Sequence, residues 1–197
     1  FDGSKANNIV WDGPGTHNFT PFRDANPDCP AESRYKALAL GEGGLLAFQS
    51  ADGIHWKPMR PTPVITEGAF DSQNLAFWDA HAGCYRASWR IFTEGVRDIR
   101  TATSHDFLSW GPWRDLDYGD APREHLYTNA VLPYFRAEHI LLGFPTRFLP
   151  DKQQVEPVFM TSRDGLHWRR RPEAVIPRTA PQDRDGNRSN YMAWGLF

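Results

Sequence analysis

The chain is short of sulfur, of surplus charge and of long apolar runs, and each shortage closes off a class of protein. Cys29 and Cys84 are the only cysteines among 197 residues. They show neither CxxC spacing nor a disulfide framework, so two unpaired, half-buried thiols are expected rather than a bridge. Lysine and arginine number 22 against 24 aspartates and glutamates, which leaves no basic footprint for nucleic acid. The one basic cluster, Arg169-Arg170-Arg171, reads as a solvated outer strand. No apolar run approaches the roughly 18 residues of a membrane span, so no membrane partner is expected. HxH and HExxH spacings are missing, which argues against a catalytic zinc. GxSxG, the P-loop and the dinucleotide fingerprint are missing as well. Long helical periodicity is also absent, because Pro or Gly interrupts most windows a helix would need.

What is present is a repeat. "SADGIHW" at Ser50–Trp56, "SHDFLSW" at Ser104–Trp110 and "SRDGLHW" at Ser162–Trp168 begin 54 and 58 residues apart. Asp and Gly suit a tight turn in which the carboxylate accepts backbone N–H groups and glycine takes a positive φ. The serine hydroxyl can brace the same turn, and the Trp is expected to plug the space between neighbouring units. Phe107 replaces the glycine in the middle copy, so that turn must differ or be strained.

Strand-forming runs line up around each copy. "NFTPFRD", "FDSQNLAFWD" and "LYTNAVLPYF" come first in each unit, followed by "RYKALAL", "CYRASWRIF" and "HILLGFPTRF". "GLLAFQS", "VRDIRTATS" and "EPVFMTS" end at the motif serine, and a short edge segment follows each Trp. Four strands per unit of about fifty residues is the period of propeller blades. The fold class expected is therefore all-β, a β-propeller of four-stranded antiparallel blades. The sequence supplies three nearly whole blades, with fragments at "NNIVW" and "SNYMAWGLF". Part of a larger ring, or a ring completed by other copies through open blade edges, is expected.

The innermost strand of every propeller blade lines the central channel, so its polar residues converge. Here those segments carry Arg23, Asp24 and Asn26, then Asp71, Gln73 and Asn74, then Arg123, Glu124, His125, Thr128 and Asn129, and finally Arg188 and Asn190. Asp24, Asp71 and Glu124 are 47 and 53 residues apart, close to one blade each, which would set three carboxylates around one pocket. A raised carboxyl beside an ionised one is what glycoside hydrolysis needs. The alternative is that these carboxylates cap turns or pair with Arg23, Arg97, Arg123 or Arg147.

The repeat and its acidic inner strands resemble the five-bladed propeller glycosidases of the glycoside hydrolase family 43 and 32 type. The turn is also similar to the sialidase Asp-box, one residue shorter. The resemblance implies a carbohydrate substrate and three carboxylates from three consecutive inner strands. "FRDANP" is similar to the Arg-Asp-Pro motif of the fructosidase-like members, with Ala25 and Asn26 intervening. Two registers follow. In one, Asp24 is a second-blade stabiliser, Asp71 takes the acid position and the first-blade nucleophile lies before Phe1. In the other, Asp24, Asp71 and Glu124 are the first-blade residue, the modulator and the acid. Arg23, Gln73, Asn74, Trp89, His125, Asn129, Arg147 and Asn190 are the candidate substrate contacts. Trp78, Tyr127, Phe144 and Trp194 join Trp89 as possible stacking platforms. No cofactor is implied. Carboxylates and water in the channel would suffice for calcium, but nothing demands it. A propeller that binds glycan or protein without catalysis is the competing reading.

Overall fold

The structure is a computed structural model that describes residues 3–4, 7–181, 186 and 189–195. Three antiparallel sheets follow one another along the chain. The first runs β1 (His17–Arg23), β2 (Tyr35–Gly41), β3 (Gly44–Ser50) and β4 (Lys57–Pro58), side by side in that order. The second repeats the pattern with β5 (Leu75–Asp79), β6 (Cys84–Thr93), β7 (Val96–Ser104) and β8 (Arg114–Asp115). In the third, the two inner strands are each broken in two. β9 (His125–Leu126) and β10 (Leu132–Pro133) form the innermost, and β11 (Leu141–Gly143) and β12 (Thr146–Leu149) form the next. β13 (Gln154–Ser162) pairs with both halves of the latter, and β14 (Trp168–Ala174) closes the outer edge. The 3-10 turns at Ala31–Ser33 and Pro150–Lys152 are the only helical pieces among the described residues. Each sheet is one propeller blade, as the repeat requires.

The breaks in blade 3 have local causes. Pro145 has no N–H to give the ladder, and Val158 N–H reaches the Pro145 carbonyl across the gap at 2.9 Å. In the innermost strand Ala130 turns to φ 40°. The amides of Asn129 and Ala130 that this frees from the ladder donate to the Gln73 side chain of blade 2, at 3.3 and 2.7 Å.

Apolar faces stack blade against blade. Phe22, Leu38, Leu45 and Ala47 of blade 1 meet Ala76, Tyr85, Ala87, Trp89 and Phe107 of blade 2. Phe77, Ile99 and Leu116 on the far face of blade 2 meet Leu126, Leu141, Met160 and Trp168 of blade 3. The motif tryptophans take matching places. Trp168 is buried between blades 2 and 3, and Trp110 is half-buried between blades 1 and 2. Trp56 lies on the opposite, outward face of blade 1, among Ala37, Phe48, Phe19 and Trp11. Beside it runs an apolar groove of about 600 Å³ lined by Val10, Phe19, Pro21, Tyr35 and Trp56.

The three turns share one hydrogen-bond set. Ser50, Ser104 and Ser162 each accept a backbone N–H from the third residue on, at 2.9 Å in every copy. Asp52, Asp106 and Asp164 each accept two further amides from the residues that follow, at 2.6 to 2.9 Å. The middle turn does not differ. Phe107 adopts φ 66°, close to the 78° and 75° of Gly53 and Gly165. Its ring, fully buried, packs against Phe22, Tyr85 and Trp110. At Gly165 a side chain is barred for another reason: a Cβ there would strike the Arg86 guanidinium, which reaches beneath it from blade 2 to hold Asp79. Packing thus outweighs backbone preference at Phe107 and agrees with it at Gly165.

Two tests follow from the turns. Phe107→Ala is expected to cost about 3–5 kcal/mol in urea unfolding, from the lost ring and the cavity. Phe107→Gly should cost about 1 kcal/mol less than that, because alanine stays in the left-handed region while glycine is at ease there. Gly worse than Ala would mean that the positive φ is not needed. The second test is acid sensitivity. Burial alone would raise Asp106, but the amides of Ser109 and Leu108 outweigh it and pull it to about 2. His55 and the local amides hold Asp52 lower still. In Asp164 the His167 side chain and the turn amides again overcome burial. A folded-state value below the unfolded one gives stability that is present above the ordinary carboxylate range and is lost as pH falls. Thermal midpoints should therefore drop between about pH 4 and pH 2, and Asp106→Asn should flatten that drop.

The basic cluster departs from its expected place at one residue. Arg169 and Arg171 are exposed, but Arg170 is buried, because alternation along β14 turns it inward onto Tyr118 and Glu124. Both thiols are free, with Cys29 half-buried and Cys84 buried.

Candidate functional site

The inner strands β1, β5 and β9 run in the same sense, which gives the blades an N-terminal and a C-terminal rim. Side chains knit each rim. Asn18 reaches the Phe70 carbonyl at 3.4 Å, and Ser72 reaches that of Tyr127 at 2.7 Å. Asp71 precedes β5 and Glu124 precedes β9, so both stand on the N-terminal rim. Asp24 follows β1 and stands at the opposite end, where its partner Tyr85 lies at the start of β6. The three carboxylates therefore do not share one rim.

Each has its own electrostatic setting. The Asp24 carboxylate is fully buried and forms an ion pair with Lys36, itself 3% exposed. It also accepts the Tyr85 hydroxyl at 2.7 Å and the Asn26 amide at 2.8 Å. Burial alone would lower the Lys36 ammonium, but Asp24 outweighs it and, with Cys29 Sγ at 3.2 Å, raises it. Glu124 is clasped between Arg147, at 3.0 Å, and Arg170. Arg147 in turn holds Glu156 at 2.6 Å. This is the arginine pairing that the sequence left open as the alternative. Asp71 is different: its side chain is 68% exposed and bonds the buried guanidinium of Arg90.

The other candidates divide by burial. Trp89 is 1% exposed and donates to the Glu67 carbonyl at 2.8 Å, so it is a core side chain with no free face for a sugar. Asn74 and Asn129 are buried as well, and Asn129 ties Gln73 and Ser88 carbonyls together. Gln73 spends its side-chain oxygen on blade 3. Arg23 is exposed beside the blade 1 groove, away from the N-terminal rim. Asn190 is held by its backbone to Val155 at 3.0 Å, and Arg188 lies outside the described residues. Among the stacking candidates, Trp78 packs on Tyr85 and Phe144 on Phe159, while Trp194 donates to the Val131 carbonyl at 2.8 Å.

His125 and Tyr127 remain on the N-terminal rim in a cluster the sequence did not assemble. Arg90 and Arg97, both packed on Phe92, project from the β6–β7 hairpin of blade 2 onto Tyr127, Phe148 and His125 of blade 3. Burial, and then the charge of Arg97, lower His125 below its ordinary value, and its Nδ1 accepts the Arg97 amide at 3.2 Å. The signal was the alternation in "SWRIFTEGVRD", which sets Arg90, Phe92 and Arg97 on one face of a hairpin. Among the described residues no group of three or more His, Cys, Asp or Glu could hold a metal ion.

No family model and no curated protein sequence matches the chain. Solved structures do share its fold. A chain described as a glycoside hydrolase matches at a TM-score of 0.55 and 11% identity, over 84% of this chain and 59% of that one. A β-1,2-mannobiose phosphorylase from Listeria innocua, bound to β-1,2-mannobiose, matches at 0.55 and 19%, over 77% and 44%. A family 32 β-fructofuranosidase from Bombyx mori, bound to sucrose, matches at 0.50 and 13%, over 69% and 31%. The chain thus has the propeller-type fold found among glycoside hydrolases, and it spans between about a third and three fifths of these three relatives.

Proposed function

We propose that the chain is a glycoside hydrolase-like protein that acts on an oligo- or polysaccharide at the N-terminal rim of its inner strands. The observation that carries this reading is Asp71, a carboxylate presented to solvent on the rim and steered by a buried guanidinium. Hydrolysis needs a second carboxyl to protonate the leaving oxygen. In this reading Asp71 is the base or nucleophile, and Glu124, on the same rim, is the acid once it leaves Arg147 and Arg170. Asp24 serves the fold. The shared fold of carbohydrate-active proteins supports the substrate class.

A second reading is favoured by the clasp on Glu124: the rim binds glycan without cleaving it. Incubation of the protein with aryl-glycosides and with plant and algal polysaccharides separates the two. Release of reducing sugar supports hydrolysis. Retention of the protein on a glycan without release supports binding alone. Neither release nor retention would overturn both.

A further inference from the structure

The cluster on the N-terminal rim carries more positive charge than the described residues balance. The guanidinium carbons of Arg90 and Arg97 both lie 5.1 Å from the centre of the Tyr127 ring. They also lie 5.5 and 5.3 Å from that of Phe92. Two cations thus share two rings. Asp71 bonds Arg90, and among the described residues no carboxylate bonds Arg97. Arg90 is 3% exposed, and its Nε and Nη1 have no hydrogen-bond partner among the described residues. Arg97 Nε has none either. The aromatic faces offset part of this cost through cation–π attraction. They supply no oxygen, and buried donors left unpaired are costly.

The rims of the cluster are open. Phe92 is 47% and Tyr191 53% exposed. Tyr191 is brought there by the segment from Ser189, which is pinned to Val155 and crosses to lean on Tyr127 at 6.3 Å. Half-buried Arg97 and Tyr127 lie beside these rings, Arg97 against Phe92 and Tyr127 against Tyr191.

We propose that this cluster binds a small oxyanion beside a sugar ring, with Arg97 as its anchor and Phe92 and Tyr191 flanking the ring. This rests on the reading of the rim as a glycan site and names its substrate class: an acidic sugar, or a sugar together with free phosphate. A planar guanidinium suits both oxyanions, because it can donate two parallel N–H bonds. Aromatic faces suit the apolar face of a sugar. Asp71 occupies Arg90 and repels a second anion there, which leaves Arg97 to take it.

Calorimetric titration and thermal midpoints at fixed ionic strength test this, with glucuronate, galacturonate, glucose and inorganic phosphate as probes. The sugar acids or phosphate should saturate and raise the midpoint, while glucose alone should not. Tighter binding of the sugar acids marks a sugar-borne carboxylate; tighter binding of phosphate marks the free ion. Arg97→Gln should weaken anion binding by about tenfold or more. Arg97→Lys should keep part of the affinity, and Arg169→Gln, in the outer basic cluster, should change nothing. Asp71→Asn should tighten anion binding, which a purely structural Arg97 would not produce. Absence of saturation by every anion, or wild-type binding by a folded Arg97→Gln variant, overturns the proposal. Cleavage of neutral glycans without anion binding would overturn it and leave the hydrolase reading intact. Anion binding without glycan cleavage would do the reverse.

Discussion

Asp24→Ala is expected to lower the unfolding free energy by about 3–5 kcal/mol, measured by urea denaturation, because it strands a buried ammonium. Lys36 is 3% exposed, and its other contacts, the Ser33 carbonyl and Cys29 Sγ, carry no full negative charge. Lys36→Met should cost a similar amount by stranding the carboxylate. The double variant should cost far less than the sum, since two apolar groups need no partner. The pH dependence has a definite sign. The folded-state value of Lys36 is raised above its ordinary 10.5, so its contribution is present below that value and is lost as pH rises through the folded one. Wild-type stability should therefore fall in alkali above about pH 10.5, and Asp24→Ala should lack that fall. A stable Asp24→Ala variant that has lost glycan cleavage would return Asp24 to the chemistry.

Asp71→Asn is expected to have the opposite profile: little change in stability and a loss of glycan cleavage of about 100- to 10,000-fold, the range for a positioned acid or base. The carboxylate is two-thirds exposed, and asparagine keeps an oxygen for Arg90, so the fold should tolerate it. Rates for both variants on whichever glycan the wild type cleaves, beside their melting curves, would separate the two aspartates. Cleavage by Asp71→Asn within a few-fold of wild type would remove Asp71 from the mechanism.

These two aspartates show what the sequence could and could not tell. Strands, turns and blade order were legible because they rest on local signals: alternation, Gly and Asp in turns, and a Trp at a fixed offset. The spacing of Asp24, Asp71 and Glu124 was legible too, but spacing does not say whether a residue enters or leaves its strand. Asp24 follows β1, whereas Asp71 and Glu124 precede β5 and β9, and that difference of one strand length puts it at the other rim. The neutralisation of Glu124 was only half legible: Arg147 stood among the expected partners and Arg170 did not. Its partners Arg147 and Arg170 lie 23 and 46 residues away, on other strands. Phe107 shows a third limit: a residue type that local preference disfavours was retained because the neighbouring blade offered its ring a buried site.

The order of the strands also bears on how the chain acquires its fold. In the first two sheets each strand pairs with its immediate sequence neighbours, in the third the broken halves pair in the same meander order, and no strand of one blade is inserted into another. Every sheet can thus form from a single contiguous stretch, with only short loops to close, which keeps the entropic barrier low and favours rapid folding. Blade 1 can assemble while blade 3 is still being synthesised, so a vectorial route from the N-terminus is open to the nascent chain. The slow events are then the dockings between blades, where Phe107 and Trp168 find their neighbours. Until each docking is complete, one apolar face is bare, and that interval is when the growing protein is most exposed to aggregation.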